Sequence, residues 1–191
     1  FLRAEELGAP ASVREDLASM YLRVRAGIGY EKSVDEYGAF PTDPYSHTPA
    51  SGGAKQPGMT GQVKEEILTR RGELGVEVQE GCLRFAPRLL SQAELLNEPG
   101  TFRYFDLAGD EQTLALSKGS LVFTLCQVPV VFRLATEEPR MQLEFADGSS
   151  KCVPGDTLSS ELSSELFSRS GRIKKITVEL AKGTFNSNKR R

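Results

Sequence analysis

Residues 114–134 read LALSKGSLVFTLCQVPVVFRL and hold three short apolar runs that are separated by small or polar residues. Successive side chains of a β-strand point to opposite faces of a sheet, so short runs with a period near two indicate strands. Similar runs lie on both sides of this segment, at residues 76–78, 83–85, 102–105, 141–145 and 173–180. Roughly eight short strands predict an antiparallel sandwich or barrel. We interpret residues 76–184 as an antiparallel β-sandwich, with a short helix or turn at residues 158–167 crossing one end of it.

The N-terminal part of the chain has the periodicity of helices. A capping-box pattern begins at Ser12, and apolar residues follow it at spacings of three and four, which predicts a helix to about Ala26. A second helix is predicted to begin at Thr60, whose hydroxyl can cap it, and to end at Gly75. Residues 1–7 have the pattern of a helix interior, so we expect the chain to be part of a longer protein.

A long segment without periodicity, from Tyr30 to Gly58, separates these two helices. Loops of this length within a compact domain are usually either functional or disordered. A disordered linker is poor in aromatic residues, whereas this segment holds four of them and the only histidine of the chain, His47. We therefore expect an ordered, functional loop.

Polar side chains that can contact a ligand are concentrated in this loop and at the start of the second helix. Prolines stiffen the loop and lower the entropic cost of holding polar groups in place. A helix start offers free backbone N–H groups to an anion or to a sugar hydroxyl. The predicted binding residues are Tyr45, His47, Gln56, Thr60, Gly61 and Gln62, and the candidate catalytic carboxylates are Asp43, Glu65 and Glu66. Each also has an ordinary structural interpretation, as an N-cap, a turn former or a charge that complements the helix dipole.

Charge and composition argue against several function classes. The chain has 24 basic and 26 acidic residues, so it lacks the basic surface that nucleic acid requires, and the basic tail at residues 185–191 is too short to change this. No apolar run is long enough to span a bilayer, and we expect no membrane association. Cys82, Cys126 and Cys152 are widely spaced without neighbouring histidines, which predicts neither a disulfide framework nor a metal site. A cytoplasmic protein with reduced cysteines is expected.

The order of these parts resembles the C-terminal end of the (α/α)6, or six-hairpin, glycosidases, and it looks most like the cellobiose phosphorylase type of glycoside phosphorylase. A helix is followed by a loop with Asp43-Pro44-Tyr45, then by Thr60-Gly61 at the start of a final helix, and then by Gly75 and a β-sandwich. In that family an acidic-Pro-Tyr loop precedes a Thr-Gly pair that helps to bind inorganic phosphate. The resemblance implies that residues 1–75 are the last helices and active-site loop of an incomplete helical toroid.

The resemblance also implies an activity, the cleavage of glycosidic bonds in an oligosaccharide by phosphorolysis or by hydrolysis. In phosphorolysis inorganic phosphate is the co-substrate, and Thr60-Gly61 match the phosphate-binding pair, with His47 or Gln56 as further contacts. In hydrolysis a second carboxylate activates water, about 6.5–9.5 Å from the first in an inverting enzyme. The general acid lies on an earlier hairpin of the family, outside these residues. No other cofactor is implied, and the partners are the oligosaccharide and the remainder of the (α/α)6 domain.

The alternative function is that of a non-catalytic carbohydrate-binding or interaction module, with the helical part as a linker. A carbohydrate-binding module of this kind exposes a flat platform of aromatic side chains. The chain has no Trp, and its strand aromatics can largely be placed at alternating core positions, which favours the enzyme. These aromatics are Phe85, Phe102, Tyr104, Phe105, Phe123, Phe132 and Phe145.

Overall fold

The computed structural model describes residues 1–27, 67–135 and 138–181. The chain divides into two compact units, Phe1–Arg70 and Arg71–Arg191. The first unit contains the helices α1 (Leu2–Glu6) and α2 (Ala11–Gly27) and the beginning of the described helix at residues 67–73. The second unit is rich in strands, and we call its described residues, 71–135 and 138–181, the sheet body.

The helix predicted to begin at Ser12 is present as α2, although it begins one residue earlier, at Ala11. Residues 1–7, which have the pattern of a helix interior, instead form the short helix α1. Gly8 breaks it, because its φ of +68° lies in the left-handed region, and its N–H donates to the carbonyl of Glu5 at 2.9 Å. No described helix has the length and apolar character needed to cross a membrane.

The apolar residues at helical spacing in α2 are only partly covered, because Leu17 and Tyr21 are half-buried while the other three are exposed. Val13, Met20 and Val24 are 43%, 61% and 66% exposed, whereas Ala18 and Arg25 are buried. The periodicity therefore predicted the helix but not which of its sides is covered within this chain.

The second predicted helix is described over residues 67–73, and its earlier residues lie outside the described ranges. It ends before Gly75, as predicted, and Gly75 has a φ of +61°. Its N–H donates to the carbonyl of Gly72 at 3.0 Å, and its carbonyl accepts from the N–H of Ala86 at 2.8 Å. The residues that enter the sheet body are thus held to it by backbone hydrogen bonds.

The strands in chain order are β1 (Val76–Gln79), β2 (Cys82–Phe85), β3 (Gly100–Phe105), β4 (Glu111–Leu116), β5 (Ser120–Leu125), β6 (Val128–Leu134), β7 (Arg140–Phe145), β8 (Ser150–Pro154) and β9 (Ile173–Leu180). A 3-10 turn, Gln92–Glu94, follows β2, and helix α3 (Ser160–Phe167) lies between β8 and β9. The helix or turn predicted at residues 158–167 is therefore a helix. The eight predicted strands are all present, and β8 is an additional one.

Most of the strands pair in antiparallel fashion. β1 pairs with β2, β3 pairs with β4, and the remaining five form a sheet of order β5-β6-β9-β7-β8. One pair, β6 with β9, is parallel, which differs from the purely antiparallel arrangement predicted from the sequence. The difference arises because the last strand enters the middle of the sheet after the β7–β8 hairpin and α3. Strand periodicity carries no information about which partner a strand selects.

The hydrophobic core lies around Phe132, which is fully buried. Its ring contacts those of Phe85 and Phe123 edge-on, with centroids 6.0 and 5.2 Å apart. β9 at the centre of the large sheet contributes Ile176 and Val178, both buried. The core therefore joins the first hairpin to the five-stranded sheet, which stabilises the sheet body as one folded unit.

A buried serine of α3 completes the hydrogen bonding of β2. Ser163 Oγ accepts from the backbone N–H of Leu83 at 2.8 Å and donates to the carbonyl of Ser159 at 2.8 Å. Asp156 and Leu158 bond the same edge of β2 through their backbone groups. This edge is covered, so it offers no free backbone groups at these positions for another strand.

We predict that Ser163→Ala lowers the free energy of unfolding of the chain by about 1–3 kcal/mol, because the buried N–H of Leu83 loses its acceptor. Ser164→Ala is the matched control, since Ser164 lies next to it on α3 but is exposed, and it should change stability by less than about 0.5 kcal/mol. Urea unfolding followed by far-UV circular dichroism measures both. Equal effects of the two substitutions would contradict the assignment of this hydrogen bond.

Candidate functional site

The ligand-binding and catalytic residues predicted from the sequence lie in the segment between residues 28 and 66, outside the described ranges. They are Asp43, Tyr45, His47, Gln56, Thr60, Gly61, Gln62, Glu65 and Glu66. Their roles therefore stay predictions. The structure does describe the chain immediately after them, and it describes a polar cavity in the sheet body that the sequence did not indicate.

The end of the helix at residues 67–73 is anchored in the sheet body. Glu73 is completely buried, and Leu74 and Val76 are buried with it. Arg71 adds a hydrogen bond from its Nε to the carbonyl of Val76 at 3.3 Å. The helix that follows the predicted loop is thus fixed at its C-terminal end.

The polar cavity has a volume of about 210 Å³ and lies where three parts of the sheet body meet. The β3–β4 hairpin supplies one wall, the turn between β5 and β6 supplies another, and the start of β9 supplies the third. The lining residues are Tyr104, Asp106, Leu107, Gln112, Gln127, Val128, Ile173 and Lys174. Polar and apolar groups therefore face the same small space.

Asp106 organises the hairpin wall of the cavity. Its Oδ1 accepts from the backbone N–H groups of Ala108 and Asp110 at 2.9 and 3.2 Å, and its Oδ2 accepts from Gln112 Nε2 at 2.9 Å. Desolvation acts to raise the pKa of the Asp106 carboxyl, but these hydrogen bonds and the positive charge of Lys174 together hold that pKa below its usual value. Asp106 is therefore an ionised turn-forming residue and is not suited to donate a proton.

Gln127 forms the second wall. It lies with Cys126 in the two-residue turn between β5 and β6, and both residues have positive φ, of 64° and 52°. Its Nε2 donates to the carbonyl of Asp106 at 3.0 Å, which connects the turn to the β3–β4 hairpin. Its Oε1 is buried and accepts no hydrogen bond within the described residues. Reversing the amide would place two oxygens against each other, so the unpaired atom must be the oxygen.

Two aromatic rings stack on one face of β3, and one of them, that of Tyr104, lines the cavity. Phe102 and Tyr104 are two residues apart on this strand, so they share a face, and their rings stack with centroids 5.9 Å apart and an interplanar angle of 12°. Both are half-buried. Burial raises the pKa of the Tyr104 phenol, and the negative charge of Asp106 raises it further, so its hydroxyl stays protonated at neutral pH.

The positions of the strand aromatics differ in part from the prediction. Phe85 and Phe132 are core residues, as expected, but Phe105 on the opposite face of β3 is 62% exposed. Phe102 and Tyr104 are only half-covered and do not belong to the main hydrophobic cluster. The reason is that β3 and β4 form a separate two-stranded hairpin, so alternation along β3 does not place its side chains in the core.

A second, more open groove runs beside the first hairpin. Arg84 Nε lies 3.0 Å from Asp156 Oδ2, and Cys82 borders the same groove. These two charges are paired with each other, and the exposed carboxylate of Glu80 also borders the groove. Cys82, Cys126 and Cys152 form no disulfide. Among the described residues, no group of three or more histidine, cysteine or acidic side chains is placed to hold a metal ion.

The polar cavity is suited to binding rather than to acid–base chemistry, because its carboxylate is committed to hydrogen bonds. The sequence Asp106-Leu-Ala-Gly-Asp110 does carry a turn signal that points to the role of Asp106. The approach of Gln127 and Lys174 to that turn has no local signal, since it depends on how three separate segments fold together. No family model matches the sequence, and no curated protein matches it.

Proposed function

We propose that this chain is the C-terminal part of a carbohydrate-active enzyme that cleaves glycosidic bonds in oligosaccharides, by phosphorolysis or by hydrolysis. In this proposal residues 1–75 complete an (α/α)6 toroid of the cellobiose phosphorylase type, and residues 76–184 are the β-sandwich that follows it in the chain. The chain contributes one wall of the sugar-cleaving site. The general acid comes from an earlier part of the parent protein.

The observation that carries the proposal is the anchored end of the helix at residues 67–73. Glu73 and Leu74 are buried, and Gly75 is hydrogen-bonded to Ala86. A helix that begins at Thr60 and ends in this anchor would hold its N-terminal amide groups in a fixed position. Fixed backbone N–H groups at a helix start suit the binding of phosphate or of a sugar hydroxyl.

The exposed apolar row of α2 gives independent support. Val13, Met20 and Val24 are exposed on one helix, at spacings of seven and four residues. Helices of a toroid bury such rows against neighbouring helices, as in other helical domains. The row is therefore where further helices of the parent enzyme would pack.

The predicted residues have distinct roles in the two reactions. Tyr45 and His47 orient the sugar in both, as does Asp43 where it is not the carboxylate that activates water. In phosphorolysis the Thr60-Gly61 pair binds phosphate, which is itself the nucleophile, with His47 or Gln56 as additional contacts. In hydrolysis one of the candidate carboxylates, Asp43, Glu65 or Glu66, activates the attacking water.

The function is tested by incubating the parent protein with a panel of glucose disaccharides and trisaccharides, with and without inorganic phosphate. Cleavage that requires phosphate and yields a sugar phosphate indicates phosphorolysis, and cleavage that ignores phosphate indicates hydrolysis. We expect one of these two results. Binding of the sugars without cleavage under either condition would instead favour the non-catalytic carbohydrate-binding module.

A further inference from the structure

We propose that the outer edge of β3 pairs with the same edge of a second copy of this chain, so that two β3–β4 hairpins join into one antiparallel sheet across a two-fold axis. We call this edge, formed by the backbone of Thr101, Arg103 and Phe105, the β3 edge. The inference goes beyond the proposed function, since it concerns the assembly of two sheet bodies and does not depend on the sugar-cleaving site.

The β3 edge has backbone groups that are free to pair. Hydrogen-bonded and non-hydrogen-bonded residue pairs alternate along two antiparallel strands. The N–H of Asp106 donates to the carbonyl of Asp110 at 3.0 Å where the hairpin closes, and Tyr104 faces Gln112 two residues further along. The N–H and C=O groups of Tyr104 therefore point toward β4, and those of the β3 edge point away from it. Within the described residues, no backbone group bonds to the β3 edge.

The sequence of β3 lacks the residues that usually protect an edge strand. An unpaired edge invites another strand, and proteins commonly block it with lysine or proline. β8, at the edge of the five-stranded sheet, contains both Lys151 and Pro154. Residues 101–105 read Thr-Phe-Arg-Tyr-Phe, with neither lysine nor proline, and threonine and aromatic residues favour strands. The β3 edge is thus suited to accept a further strand.

The side chains of the β3 edge are open to a partner. All three are exposed, and the ring of Phe105 is 62% exposed. β3 and β4 form only a two-stranded sheet, and a hairpin of two strands gains stability when a third strand is added. A strand at this edge would bond the outward backbone groups and cover part of the Phe105 ring, which is favourable because apolar surface leaves water.

The charge of Arg103 selects the register of two paired β3 edges. If the two-fold axis passed through Arg103, this residue would lie opposite Arg103 of the second copy, and like charges directly opposite each other are destabilising. With the axis at Tyr104, Arg103 of each copy lies opposite Phe105 of the other. The outward backbone groups still meet, and a guanidinium over an aromatic ring is a favourable contact. The β3 edge is therefore complementary to itself in this register.

The opposite edge of the hairpin is less suited to the same role. The residues of β4 whose backbone groups point away from β3 are Glu111, Thr113 and Ala115. Glutamate and alanine are uncommon in strands, and none of the three offers a large apolar side chain. Pairing of one β3 edge with another also closes after two copies, since each copy presents the same surface. The expected assembly is a dimer.

Sedimentation velocity of the 191-residue chain, from about 10 µM to about 1 mM, tests the inference. We expect a dimer that dissociates on dilution, because small interfaces are transient. Arg103→Pro should weaken dimerisation at least about tenfold, since proline removes an N–H that points out of the hairpin and is tolerated at such edge positions. Thr113→Pro is the matched control. Thr113 lies opposite Arg103 on β4, so the same change alters the other edge and should leave dimerisation unchanged.

Circular dichroism verifies that the variants are folded. If Arg103→Pro does not fold, Phe105→Arg keeps the backbone intact and places an arginine opposite Arg103 of the second copy, which should also weaken dimerisation at least about tenfold. The inference is overturned by a chain that stays monomeric at every concentration, by a dimer that survives the substitutions in β3, or by an equal loss of dimer in the Thr113 control. Since no cleavage is measured, each of these results leaves the proposed function to its own assay.

Discussion

Replacing Gly75 with alanine should lower the free energy of unfolding of the sheet body by more than about 4 kcal/mol, a large part of the stability of an ordinary domain. A Cβ atom at this position would lie 2.1 Å from the carbonyl carbon of Ala86 and 2.3 Å from the nitrogen of Pro87. Both are backbone atoms, so no side-chain rotation relieves the overlap. The positive φ of Gly75 adds a further cost for any L side chain.

Gly81→Ala separates the cost of the steric overlap from the cost of the positive φ. Gly81 has a φ of +78°, but a Cβ atom there would meet nothing within 4 Å, so the substitution should cost only the left-handed conformation, about 1–2 kcal/mol. Urea unfolding of the two variants, followed by far-UV circular dichroism, gives the comparison. If the two alanine variants were equally stable, the close approach of the helix end to Ala86 would be wrong, and with it the anchor on which the proposed function rests.

The strands could be predicted because their signal is local. Residues 121–125 and 128–134 alternate or run apolar over a length typical of strands, and both are strands in the structure. The end of the helix near Gly75 could also be predicted from a local signal. Helices commonly end at a glycine, because glycine adopts the left-handed conformation without steric cost.

The pairing of the strands could not be predicted in the same way. β9 lies parallel to β6 and antiparallel to β7, an arrangement set by packing between residues distant in sequence. β8 was missed because its residues, Ser150–Pro154, lie at the edge of the sheet and are mostly exposed. An edge strand of this kind has no apolar face to produce a period of two.

The described candidate site shows the same division between local and distant signals. The turn that begins at Asp106 has a recognisable composition, but nothing near Gln127 indicates that its amide reaches that turn. The apolar spacing in α2 predicted the helix, and the structure leaves Val13, Met20 and Val24 exposed. Periodicity identifies an apolar side of a helix, and only the assembled protein decides what covers it.

The second large effect is expected in the parent protein when residues 30–58 are replaced by a glycine–serine linker of the same length. If the predicted loop orients the sugar, the flexible linker removes its polar contacts and its stiffness together. Misplacement of a substrate by about 1 Å can cost on the order of 100-fold in rate, so we expect the cleavage rate at saturating oligosaccharide to fall at least about 100-fold. Removal of residues 185–191 serves as the control, since the basic tail has no part in the proposed site.

The initial rate of oligosaccharide cleavage by these two variants and by the unaltered parent protein tests most directly whether this chain forms a wall of the sugar-cleaving site. We predict that the linker variant retains the cooperative unfolding of the sheet body and loses cleavage, while the protein without the tail retains both. A linker variant that cleaves the oligosaccharide as fast as the unaltered protein would contradict the claim.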